Sequence, residues 1–349
     1  MKSSVNNKKL LIIYDYYVVN NMIHYGVSGI LENYLKKNNI KYSINKHEYS
    51  ESFSNIYVKF KSLYKDVSKD NYTDLIAYNF INALNGYIIK KIFFKKYRLV
   101  FVAVDFSTKR FKSKILSKVY VFCDYLASIL SDETWNCSKR IHDYRSKFLS
   151  SDKNFYLPNI SNYDKKDLKK YHQFTIVMIC FLQHNYIFDE VYETFNYIKD
   201  NNLKLIIIGD GEAKEDILEK IKKSKMEKFV ELTGFIPHDE VLTILQKSHL
   251  GLALYSGTVD HNYWGDSLKI REYTYFDLPV ITTDNVYNYI EVEKENLGLV
   301  IKKKFQLKSH IKKMYEDLGL YQGFIRSIQI YNKTYNMDKL YDKRIKEII

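Results

Sequence analysis

The stretch Tyr263-Trp264-Gly265-Asp266-Ser267-Leu268-Lys269-Ile270-Arg271-Glu272-Tyr273 gathers residue types suited to holding anions and diols. Gly265 allows close backbone approach. Asp266 or Ser267 can cap a helix. The first free N–H groups of that helix, with its dipole, then face a bound anion. Lys269 falls in the first turn and adds a point charge for a diphosphate. Glu272, three residues on, shares a face with Lys269, and its carboxylate can accept two hydrogen bonds from a vicinal diol such as a ribose. The same spacing also suits a surface helix with one intrahelical ion pair.

Asp105 closes the apolar run Leu99–Val104. A carboxylate there can act as general base toward an acceptor hydroxyl, hydrogen-bond a donor sugar, or make an ordinary turn contact. His24, with Gly26 beside it, is expected in the loop after the first strand. Both are candidates for touching a phosphate or an acceptor, and a plain loop histidine is the alternative. No Asp-x-Asp pair occurs in the sequence. Lys269 and the helix terminus can neutralise a leaving diphosphate instead, so neither an obligatory metal nor a cofactor is expected. Cys123, Cys137 and Cys180 are odd in number and lack the paired spacing of a zinc site, which fits reduced cytoplasmic thiols.

These residues need a scaffold that presents strand ends. Leu10–Ile13 reads as a buried parallel strand ending at Asp15, followed by Gly26, Gly29, a helix from Ile30 and a strand over Ile40–Ile44. Asp74–Ile92 has apolar residues at helical spacing throughout and reads as one helix. Leu99–Val104 reads as a central strand, and Ile115–Leu130 as another helix. After Leu157-Pro158-Asn159 and a polar stretch, the pattern restarts. Strands are expected at Thr175–Phe181, Leu203–Ile208, Val230–Leu232, Gly251–Leu254 and Val280–Thr283. Helices are expected at Asp189–Ile198, Lys214–Lys222, Asp239–Ser248 and Ser267–Phe276. Such alternation predicts an α/β chain with two Rossmann-like, doubly wound domains facing a cleft, whose ligands bind beyond the carboxyl ends of the strands. A length of 349 residues fits two domains. The boundaries are read as 1–160 for an acceptor-binding domain and 161–335 for a nucleotide-sugar-binding domain. Residues 336–349 form a helix expected to pack back on the first domain.

Charge separates the halves. The net charge is +13. Residues 1–165 hold 27 Lys and Arg against 14 Asp and Glu, and the remainder holds 27 of each. A basic first half suits an anionic membrane surface, a phosphorylated lipid or nucleic acid. The stretch Lys90-Lys91-Ile92-Phe93-Phe94-Lys95-Lys96-Tyr97-Arg98 alternates charge with bulky apolar groups, as a bilayer surface requires. A helix end feeding a core strand explains it equally. No recognised nucleic-acid motif accompanies the charge, so no nucleic-acid partner is expected. The apolar run at the N-terminus is too short for a signal peptide, and no stretch reaches the roughly 20 apolar residues of a spanning helix. The protein is therefore expected in the cytoplasm, with peripheral contact at the inner membrane face.

From Leu205 to Asp284 most strongly, and over most of its length, the sequence resembles the GT-B glycosyltransferases, in particular the large retaining family four. Ile207-Ile208-Gly209-Asp210-Gly211-Glu212 looks like the family's strand-to-glycine turn. Val230–Ile236 looks like the strand whose end, here Phe235 and Ile236, contacts the nucleobase through backbone groups. Lys269, Glu272-Tyr273 and Leu278-Pro279-Val280-Ile281-Thr282 look like the donor-binding helix and the strand after it. The resemblance implies that Glu272 holds the ribose hydroxyls and Lys269 the diphosphate. In the first half, Val104-Asp105-Phe106, Trp135–Arg140 and the hinge-like Leu157-Pro158-Asn159 follow the family's order. Where family four often has a second Glu, eight residues before Glu272, this chain has Trp264. The loop that usually carries Arg and Lys reads Phe181-Leu182-Gln183-His184-Asn185, with His184 as its candidate phosphate ligand. The implied function is sugar transfer from a nucleotide-sugar donor to a glycan or lipid-linked acceptor. A catalytically silent accessory protein and a nucleotide-sugar epimerase of the same fold are the alternatives.

Overall fold

In a computed structural model, residues 9–19, 22–24, 28–49, 53–159, 163, 165–183, 188–257, 260–335 and 337–348 are described. The chain divides into two compact units. The first comprises Met1–Asn159, Trp264–Asp266 and Met337–Ile349, and the second Ile160–Tyr263 and Ser267–Asn336.

The first unit runs β1 (Leu10–Val19), β2 (Met22–His24), α1 (Ser28–Lys37), β3 (Tyr42–Glu48), α2 (Phe53–Lys69), β4 (Asp74–Tyr78), α3 (Phe80–Ile92), β5 (Arg98–Ala103), α4 (Lys114–Leu130), β6 (Glu133–Asn136), α5 (Lys139–Arg145) and β7 (Asn154–Tyr156). Its parallel strands lie in the order β3-β1-β4-β5-β6-β7, and β2 folds back antiparallel on the end of β1. The segment Asp74–Ile92, expected as one helix, splits into β4 and α3. Every residue of Asp74–Tyr78 is buried between β1 and β5, so a continuous apolar run there serves a central strand, which periodicity alone does not separate from a buried helix. The break is Asn79, at φ 65°, whose side chain caps α3 by accepting from the Asn82 N–H. His24 sits on β2 opposite Tyr17 rather than in a loop, because the first strand continues well past Asp15.

The second unit runs β8 (Thr175–Ile179), α6 (Phe188–Tyr192), α7 (Phe195–Asp200), β9 (Lys204–Ile208), α8 (Lys214–Lys223), β10 (Val230–Gly234), α9 (His238–Lys247), β11 (Leu250–Ala253), α10 (Asp260–Trp264), α11 (Leu268–Tyr275), β12 (Val280–Thr283), α12 (Tyr289–Lys294), β13 (Gly298–Ile301), α13 (Leu307–Glu316) and α14 (Leu318–Thr334). Its six strands are all parallel, in the order β10-β9-β8-β11-β12-β13. Alternate strand residues feed two cores. Ile176, Met178, Leu205 and Ile207 face one helical layer, while Val177, Ile206 and Ile208 face the other. The expected helix Asp189–Ile198 is interrupted between α6 and α7 at Glu193-Thr194. The last helix, α15 (Met337–Ile348), packs within the first unit, where Arg344 lies over the Phe155 ring at 3.7 Å.

His249, just before β11, gives this unit a pH-sensitive contact. Its Nδ1 accepts the Thr175 backbone N–H at 3.1 Å, and its ring stacks on Phe174. Burial, with the nearby Lys170 charge, pushes the imidazole down to about 4. An unfolded histidine titrates near ~6.5. Between those values the unfolded chain binds more protons, so stability present above pH ~6.5 is lost as pH falls toward 4. After allowance for the partly exposed ring, wild type should lose about 1–2 kcal/mol more than His249→Gln between pH 7 and pH 4.5. Urea midpoints at the two pH values measure this. An equal loss in both proteins would remove His249 as the cause.

Candidate functional site

In an order that reverses between β8 and β11, the crevice at their carboxyl ends is the switch point where doubly wound folds bind ligands. Helix α11 begins there. Ser267 caps it, accepting the Ile270 N–H at 3.2 Å, while the Ser267 N–H donates to Asn288 Oδ1 at 2.6 Å. The Tyr255 hydroxyl also meets Ser267 Oγ. Three further contacts fix the helix. Tyr273 is fully buried, and its hydroxyl accepts the Ile179 N–H and donates to the Leu252 carbonyl. Gly251 makes room for that ring, since a Cβ there would lie 2.4 Å from Tyr273 Cδ2. Arg271 forms a buried ion pair with Glu291 at 2.6 Å, and Tyr331 donates to the same carboxylate.

On this fixed helix, Lys269 places Nζ 4.7 Å from the centre of the Tyr255 ring. A cation over an aromatic face is attracted electrostatically by the ring. Glu272 does not face solvent as half of an intrahelical ion pair. It is buried, and its Oε1 accepts the Tyr163 hydroxyl at 2.8 Å and lies 3.3 Å from His238 Nε2. That carboxylate raises the His238 imidazole above its usual range, and burial with Glu272 raises the Tyr163 phenol. His238 opens α9 and directly follows Phe235-Ile236-Pro237, so Phe235, Ile236, His238, Tyr163 and Glu272 belong to one corner of the unit.

The glycine turn is as tight as its sequence suggests. Gly209 and Gly211 have φ of 144° and 155°, and a Cβ on either would lie within 2.3 Å of a carbonyl oxygen, that of Cys180 or Leu182. The backbone between them stays paired, with the Leu182 N–H donating to the Asp210 carbonyl. Asp210 itself is held by Lys214 at 2.9 Å.

Other candidates belong to the first unit or lie outside the described residues. Asp266 belongs to the first unit, where Oδ2 accepts the Asn159 N–H at 2.8 Å and its carbonyl accepts the Asn159 side chain. Trp264 is also in that unit. Its ring meets Phe106 edge-on at 4.9 Å, and its carbonyl accepts Ser138 Oγ. Asp105 follows β5 and pairs with Arg110, whose guanidinium lies over Tyr120. Gly26 and His184 lie outside the described residues. Sequence reasoning missed Tyr163, His238 and Tyr255. It also missed Lys59, which is buried on α2 and paired with Asp15 at 2.7 Å, with Asn79 donating to the other Asp15 oxygen. Only His238 carried a sequence signal, its place immediately after the segment read as base-binding.

The Lys90–Arg98 stretch does two things. Lys90 pairs with Asp132, and Tyr97 is buried with its hydroxyl on the Gly86 carbonyl. Phe94 is 88% exposed, with Ile92 exposed beside it. Among the described residues no helix is long and apolar enough to cross a membrane, and no group of three or more His, Cys, Asp or Glu is placed to hold a metal ion.

Residues 159–329 match the family model for glycosyl transferases group 1. No curated protein matches the chain. Among solved structures, Anabaena HepE in complex with UDP-glucose superposes with a TM-score of 0.72 at 13% identity, over 98% of this chain and 99% of that one. Sucrose-phosphate synthase from Thermosynechococcus elongatus gives 0.73 at 10% identity, over 97% and 98%. A glycosyltransferase from Rickettsia africae gives 0.71 at 13%, over 98% of each chain. At these identities the likeness shows the fold, and the family match covers the unit that carries Lys269 and Glu272. The chain has the GT-B fold, and its residues 159–329 belong to the glycosyl transferases group 1 family.

Proposed function

We propose that the protein transfers a sugar from a nucleotide-sugar donor to a glycan or lipid-linked acceptor, with the donor bound at the α11 corner of the second unit. The observation that carries this is the pairing of roles on one rigid helix. A capped N-terminus and the Lys269 ammonium stand at one end, and the buried carboxylate of Glu272 one turn on. The first two suit a diphosphate. Glu272 suits the ribose, and the backbone at Phe235 and Ile236 suits the base. Gly211 lets the chain approach the donor closely, and His184 is assigned to the phosphates. The leaving diphosphate gains negative charge as the glycosidic bond breaks, and Lys269 with the helix terminus stabilises it without a metal. Uridine diphosphate is the first donor nucleotide to try, since HepE is complexed with UDP and with UDP-glucose.

The basic first unit takes the acceptor. Asp105 is its candidate for the acceptor hydroxyl or the donor sugar, with Arg110 orienting the carboxylate, and His24 and Gly26 are further candidates for the acceptor or a phosphate. The exposed Ile92 and Phe94 among lysines support peripheral contact with an anionic membrane on the cytoplasmic side.

Thermal shift with a panel of nucleoside diphosphates and nucleotide sugars tests the donor site. One nucleotide should stabilise the wild type by several degrees. Glu272→Ala should lose about 2 kcal/mol of that binding, because a charged hydrogen-bonding partner is removed. Stabilisation by no nucleotide would sink the transferase reading in favour of a silent accessory protein. A free isomerised sugar nucleotide as product would favour an epimerase.

A further inference from the structure

Helix α4 breaks the usual rule for a surface helix. Its inner side is conventional, with Tyr120, Asp124 and Ala127 buried. Its outer side should be polar, yet Ile115 is 74% exposed, Phe122 58%, and Leu116 and Val119 about half. At 100° per residue these four span a continuous arc, flanked by the exposed Lys114 and Lys118. Phe111 extends the patch. Its N–H and carbonyl are both bound to Ser117 Oγ, which pins the loop onto the helix. From Phe106 to Cys123 the chain has five basic residues and no acidic one. A contiguous exposed apolar patch marks an interaction site, and this one has the exposed Lys114 and Lys118 along its edge.

We propose that the outer face of α4, with Phe111, docks onto an anionic lipid bilayer, the apolar side chains entering the headgroup region and Lys112, Lys114 and Lys118 meeting lipid phosphates. Charge complementarity selects this occupant: an apolar face bordered by lysines repels a second copy of itself and matches an anionic surface. The patch begins just after Asp105, at the carboxyl end of β5, so docking there presents the acceptor edge of the first unit to lipid. The inference rests on the membrane contact proposed above and assigns its main surface to α4.

Co-sedimentation with vesicles of phosphatidylcholine alone, and with about one-third phosphatidylglycerol, tests it in the full chain. Wild type should partition onto the anionic vesicles, and added salt should weaken the binding. Lys112→Ala/Lys114→Ala/Lys118→Ala should bind about 100-fold more weakly, from a roughly fivefold loss per basic residue. Ile115→Ser/Phe122→Ser keeps the charge and should lose about 30-fold. Both variants should keep the wild-type melting temperature and nucleotide response, which separates this test from that of the donor site. Wild-type binding to neither vesicle overturns the proposal. So does wild-type-like binding by both α4 variants while Phe94→Ser loses it, which leaves the α3 end as the membrane contact. A change in oligomeric mass without a change in vesicle binding overturns it in favour of a second copy.

Discussion

Lys269→Met should lower turnover of the donor by 10²–10³-fold while leaving the fold intact. Methionine keeps most of the aliphatic stem and removes only the charge. Nothing else about the helix should change, because Ser267 caps it, Tyr273 anchors it and Arg271 pairs with Glu291. A fixed donor aimed at developing charge typically contributes about 3–4 kcal/mol to the transition state. In the proposed role of Lys269, the Tyr255 ring, 4.7 Å from Nζ, positions the ammonium before substrate arrives, which keeps reorganisation small. The bound diphosphate is already anionic, so KM should rise as well, with the larger share of the loss in kcat. Nucleotide release from the donor selected by thermal shift is the measurement. A variant with unchanged kcat would mean that Lys269 is a binding or packing residue and that the leaving group is stabilised elsewhere.

How much of this was legible in advance follows from where the physics is local. The second unit was read strand by strand because each of β8 to β12 is a short apolar run bounded by Gly, Pro or polar residues, and parallel burial on both faces writes itself into such runs. The cap at Ser267 and the tight turn at Gly209 and Gly211 are also local and were legible. The Asp74–Ile92 segment was misread because a buried strand followed directly by a half-buried helix leaves no polar gap. Only the left-handed Asn79 separates them. Helix α2 went unread, and with it the buried Lys59–Asp15 pair.

The site's electrostatics were less legible than its backbone. Glu272 and Lys269 were expected side by side on one face. The fold also gives the carboxylate to Tyr163 and His238, which lie 109 and 34 residues away in sequence. No spacing rule reports such a contact. Trp264 shows the same limit from the other side. It stands where a second glutamate was looked for, and it fills a ring cluster with Phe106 and Tyr144. An aromatic with a packing role occupies that position.

Asp124→Ala and Arg145→Ala should each cost about 3–5 kcal/mol of stability, the largest single-site losses expected in the first unit. Both side chains are essentially fully buried, and both Asp124 oxygens accept from Arg145 Nη2. Arg145 Nη1 also donates to Asn136 Oδ1 at 2.5 Å, and the guanidinium lies over the Phe101 and Phe106 rings. The pair thus ties α4 and the end of α5 to the last residue of β6. Burial outweighs the arginine in its effect on Asp124, raising the carboxyl above its ordinary range. Desolvation is therefore the larger part of the balance, and each charge is tolerated only because the other is present. Removing one partner strands the other in an apolar setting. Removing both should be far milder, so Asp124→Leu/Arg145→Met should lie within about 2 kcal/mol of wild type. Urea denaturation of the four proteins completes the cycle. If the double variant loses as much as the sum of the single ones, the pair does not act as a unit and the losses come from packing alone.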